Sequence, residues 1–160
     1  MKKLSAFLLV FVLLGVAGCG PAGPAAQDDP FAFTYNGCQI ALNADAAPVI
    51  AALGEPLNYT EEASCAFDGL DKTYGYGSFY LSTYPLDGKD HVYSIWFADD
   101  GVSTEEGIRL GDSQAEVESA YGTECFNGTN VYSLVKGESR LTILLTEGKV
   151  SSIQYEAIIE

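Results

Sequence analysis

His91 is the single histidine in a chain of 160 residues, so any Ser-His-Asp or Cys-His pair has to be built on it. It follows Asp87-Gly88-Lys89-Asp90, and a histidine beside a turn is expected at the surface with no nucleophile next to it. One histidine also rules out a two-histidine zinc site. Acidic oxygens cluster in "NADA", "LDGKD" and "ADDG", but none follows the spaced calcium-loop pattern with its closing glutamate. "YGYGS", Tyr74 to Ser78, is glycine-rich yet lacks the strand–turn–helix context of a phosphate loop, and its glycines are expected at a bulge or hairpin. The chain is therefore expected to be non-enzymatic, without catalytic residues, metal or cofactor.

The chemistry that the residues do support lies at Cys19. "MKK" is a positive start, Leu4 to Ala17 is apolar apart from Ser5 and Gly15, and "VAGC" closes the run. An apolar stretch of this length suits a signal-peptide core better than a bilayer span, which needs about 20 residues. "VAGC" resembles the bacterial lipobox. That resemblance implies cleavage before Cys19 and a diacylglycerol on its sulfur, with acylation anchoring the chain outside the cytoplasm. Residues 1–18 are then the signal peptide. Residues 19–30 are the lipidated cysteine and a Pro/Gly/Ala tether, which reaches about 3.3–3.6 Å per residue when extended.

The chain beyond the signal peptide carries 6 basic against 22 acidic residues, a formal charge of −16. Such a field repels nucleic acid and anionic headgroups and favours neutral or basic partners. An extracytoplasmic setting permits disulfides. Cys38 with Cys65 is the expected pair, whereas Cys65 with Cys125 would tie the two halves of the chain together; spacing alone does not settle the connectivity.

Those halves echo one another. Ile40–Gly54 aligned without gaps on Ile108–Gly122 gives six identities in fifteen positions, ending in Gly54 and Gly122. Ser113 and Glu116 fit a capping box, Asp45 can cap the first copy, and Pro48 is tolerated in a first turn. Tyr-, Thr-, Val- and Ile-rich strands follow each copy, separated by turns such as "LDGKD" and "TEGK". The expected fold is α+β: two tandem modules, 31–106 and 107–160, each a short helix followed by an antiparallel β-meander, with the helices packed on one face of the sheet.

The motif ending in Leu53-Gly54-Glu55-Pro56 resembles the SmpA/OmlA small outer-membrane lipoproteins, and its doubling is similar to the beta-lactamase inhibitory protein-like arrangement. The chain also resembles small lipoproteins of Gram-positive anaerobes. These resemblances imply protein binding without naming a partner. Aligning the last strands matches Ile95 with Ile153 and Trp96 with Gln154, so Trp96 is expected to face water. Trp96, Tyr80 and Tyr84 form the candidate binding face. The expectation is a lipid-anchored protein-binding or assembly module of the cell envelope, with binding of a small ligand between the modules as the alternative.

Overall fold

The computed structural model describes residues 30–159. Two strands open them. β1 (Ala32–Tyr35) and β2 (Cys38–Ala41) are joined across Asn36-Gly37, whose positive φ angles of 49° and 79° suit a two-residue hairpin turn. Helix α1 (Ala46–Leu53) follows, and then a four-strand meander: β3 (Asn58–Ala63), β4 (Leu70–Gly75), β5 (Phe79–Leu86) and β6 (Lys89–Phe97). Helix α2 (Gln114–Tyr121) leads into β7 (Val131–Lys136), β8 (Ser139–Thr146) and β9 (Lys149–Ala157). The strands from β3 onward form one seven-stranded antiparallel sheet in the order β3-β4-β5-β6-β9-β8-β7, and β1 and β2 make a separate ribbon.

Alternation of side chains sorts the sheet into two faces. Tyr74, Leu81, Ile95, Tyr155 and Leu141 are successive cross-strand partners from β4 to β8, and all are buried. The ribbon closes over this side through Phe33, whose ring lies 5.1 Å from Phe79 and 5.2 Å from Phe97. Val102 and Ile108, from the segment between β6 and α2, complete the same core with Val49 of α1 and Val117 of α2.

This architecture corrects the expected α+β chain of two helix-plus-meander modules with helices laid over one face. Among the described residues nine strands stand against two helices of eight residues each, so the fold is mostly β. Two helical turns are too short to roof seven strands, and the ribbon and the 98–112 segment supply cover alongside them. The strands do not stop at a module boundary either, because β6 pairs directly with β9 through Ser94–Glu156, Ile95–Tyr155 and Trp96–Gln154.

The sequence echo does persist in local bonding. Asn43 N–H donates to Val92 O and Val92 N–H to Ala44 O, both at 2.9 Å; Gly111 to Val150 and Val150 to Asp112 repeat the pair at 2.8 Å. Each helix start is thereby tied to the beginning of β6 or β9. Ser113 and Glu116 form the capping box, and Asp45 Oδ1 accepts from Ala47 N–H at 3.0 Å. Both helices end on a glycine with φ near +80° and extended ψ, a conformation that side-chain-bearing residues rarely adopt. Among the described residues no helix is long and apolar enough to cross a membrane. Residues 1–29, with Cys19, the expected signal peptide and all of the expected tether but Pro30, lie outside the described residues.

Candidate functional site

The face turned away from the core carries two parallel rows of side chains. One runs Asn58–Gly75–Tyr80–Trp96–Gln154–Thr142–Ser133, and the next Thr60–Thr73–Ser82–Ser94–Glu156–Arg140–Val135. Trp96 is 51% exposed, with its ring 5.8 Å from that of Tyr80. Tyr80 is positioned by what its neighbour lacks. Its ring leans over Gly75, where an added Cβ would come within 3.0 Å of the ring. A glycine in the strand thus makes room for the aromatic beside it.

Tyr84 is placed differently from its two companions. It is on the same strand as Tyr80 but only 6% exposed, because Phe67 from the β3–β4 loop packs on its ring at 5.1 Å. Its hydroxyl donates to Asn43 Oδ1 at 3.0 Å. Tyr84 therefore does not join the exposed Trp96–Tyr80 pair. It helps to line a cleft of about 770 Å³ on the open face.

That cleft extends from Thr60 and Glu62 of β3 to Arg140 of β8. Five strand spacings separate β3 from β8, about 24 Å in a flat sheet. Residues from both bound one cleft, which therefore runs as a trough across the strands. Two bulges interrupt the ladders of these strands. The register between β5 and β6 passes from Ser82–Ser94 to Thr83–Val92, skipping Tyr93, and the register between β8 and β9 passes from Leu144–Ser152 to Leu145–Val150, skipping Ser151. Tyr93 and Ser151 are equivalent positions of the sequence echo.

The bulge delivers Tyr93 into the cleft, where its hydroxyl donates to Glu156 Oε1 at 2.6 Å. That bond to a carboxylate, together with burial, pushes the Tyr93 phenol up to about 12. Ser82 and Ser94 share a hydrogen bond of 2.5 Å across β5 and β6. On the rim, the Lys72 ammonium lies 2.7 Å from Asp90, which favours its charged form and raises its pKa.

Among the described residues Cys38, Cys65 and Cys125 are free thiols, without a bridge between Cys38 and Cys65 in this structure. Cys38 is on β2, packed against the core, whereas Cys65 sits in the β3–β4 loop and lines the open-face cleft. His91 is held by its Nδ1, 2.9 Å from Asn43 O, and its ring packs beside Tyr84. Among the described residues no cluster of three or more His, Cys, Asp or Glu side chains is arranged to hold a metal.

Sequence reasoning missed both Tyr93 and Phe67. A bulge moves Tyr93 off simple alternation, and Phe67 is brought onto the face by a loop whose path carries no periodic signal. No protein family, characterised protein or solved structure matches this chain.

Proposed function

We propose that this protein is an envelope lipoprotein, held at the extracytoplasmic membrane surface by a lipid on Cys19, which binds another protein through the open face of its sheet. The observation that carries this reading is the exposed Trp96 beside Tyr80 on a sheet face that also holds a cleft. A half-exposed tryptophan presents a large apolar surface with one polar N–H, the kind of side chain that anchors interfaces. The −16 charge keeps such a face soluble until a partner covers it. Anchoring would raise the local concentration of the module near membrane partners. The likeness of its helix motif to that of small envelope lipoproteins is consistent with this setting.

The test is a photo-crosslinking amino acid placed at Gln154, the register partner of Trp96, in intact cells. A discrete protein adduct that disappears in Trp96→Ala, but not in a Tyr59→Ala control on the opposite face of the sheet, is the expected result. No Trp96-dependent adduct would overturn the reading. A second reading, a small ligand, is favoured by the cleft crossing the β6–β9 junction with Tyr93, Glu156 and Arg140 converging on it. Native mass spectrometry showing a retained small molecule that is lost in Tyr93→Ala would select it.

A further inference from the structure

The distribution of charge in the cleft identifies what its occupant brings, and this inference rests on the reading that the open face binds a protein. Glu62 of β3 and Asp71 of β4 are direct cross-strand partners, and both line the cleft. Like charges set opposite one another on a ladder repel and lower stability. Among the other described charged groups of the cleft only Lys72 is in an ion pair, and Arg140 and Glu156 face each other without one. Lys72 pairs with Asp90, and Glu61 stands opposite Lys72 while accepting from the Tyr59 hydroxyl. Arg140 stands opposite Glu156 in the β8–β9 register. Among the described residues the ion pairs are Lys72–Asp90 and Lys89–Asp45, and Glu62 and Asp71 belong to neither.

Beside this acidic pair stand the rings of Tyr84 and Tyr93, edge to face at 6.1 Å. A lysine or arginine stem packs well on such rings while its charged head reaches carboxylates. The cleft extends across the strands, which suits a chain segment, and the net charge draws basic partners toward it. We propose that the cleft receives a lysine- or arginine-bearing segment of the partner protein, its cation seated at Glu62 and Asp71 and its stem laid along Tyr93.

The experiment uses the purified full chain in detergent and fluorescence anisotropy of a labelled peptide of four Lys-Thr repeats, with a Glu-Thr peptide of equal length as reference. The lysine peptide should bind and the glutamate peptide should not. Glu62→Gln with Asp71→Asn should weaken binding by about tenfold or more. Glu55→Gln with Glu124→Gln, which removes the same charge from outside the face, should change it less than about twofold. Asp71→Lys, which supplies the cation internally, should abolish binding. Equal weakening by the two double variants would show a general acidic field and overturn the proposal, as would binding unaffected by any variant. A Trp96-dependent cross-link that persists while the lysine peptide fails to bind would overturn this inference alone and leave the binding face standing.

Discussion

Trp96 and Gln154 occupy equivalent positions of the echoed strands, face the same side and pair with each other across β6 and β9. A residue whose counterpart is glutamine is not needed by the core. Trp96→Gln should therefore leave the unfolding free energy within about 0.5 kcal/mol of the parent, while acrylamide should quench the parent's tryptophan emission readily. A protected, blue-shifted emission would contradict the exposure on which the binding face depends. Tyr93 gives a second check. Its folded pKa of about 12 exceeds the ordinary phenol value of 10 because its hydroxyl donates to Glu156. A raised pKa contributes stability that is complete below the unfolded value and is lost as pH rises through the folded one. Stability should thus decline between about pH 10 and 12, and Tyr93→Phe should flatten that decline in alkaline melts. At Cys19 the expectation is chemical: Cys19→Ser should abolish acyl labelling and move the protein from the detergent-rich to the aqueous phase on partitioning.

At the scale of elements, the capping box is where sequence and structure meet most directly. Ser113→Ala removes the hydroxyl that accepts from Glu116 N–H, and should lower stability by about 1 kcal/mol in urea titration. Asp45 and Glu116 both have depressed pKa values, from backbone hydrogen bonds to Ala47 and Ser113. A depressed folded pKa contributes stability present above the unfolded value and lost as pH falls. The parent should therefore weaken on acidification below about pH 4, and Ser113→Ala less steeply, because Glu116 has lost one of its partners. These caps were legible because their residue types act on the amides next to them, and the strands from β3 to β9 were legible from alternation and turn chemistry. The β1–β2 ribbon was overlooked, although Asn36-Gly37 is a strong hairpin signal. Its strands are only four residues long, too short for alternation to mark them. The cleft was not legible, since Glu62 and Asp71 meet through register and Phe67 through a loop, neither of which a one-dimensional pattern contains.

At the scale of the whole molecule, the β6–β9 pairing makes both halves of the sequence share one sheet and one core. Unfolding should then be a single transition. Ile95→Ala in the first half and Ile153→Ala in the second should each lower the unfolding free energy of the same transition by about 2–5 kcal/mol, with no separate plateau in urea. Two resolved transitions would mean that the halves fold apart. The bulges at Tyr93 and Ser151 carry a further consequence. They allow Val92 and Ile95, three residues apart, and likewise Val150 and Ile153, to point into the same core. Within each strand the bulged residue acts as a spacer that resets the count of inside and outside. Loss of the Tyr93 or Ser151 codon would join Val92 to Ser94, or Val150 to Ser152, in an unbroken ladder with the valine and isoleucine still inward, whereas loss of a paired residue farther along the strand would turn part of it inside out, offering valine to water and glutamine or glutamate to the core. A scan of single-codon deletions along the gene should therefore find Tyr93 and Ser151 better tolerated than the paired core positions Ile95 and Ile153 beside them.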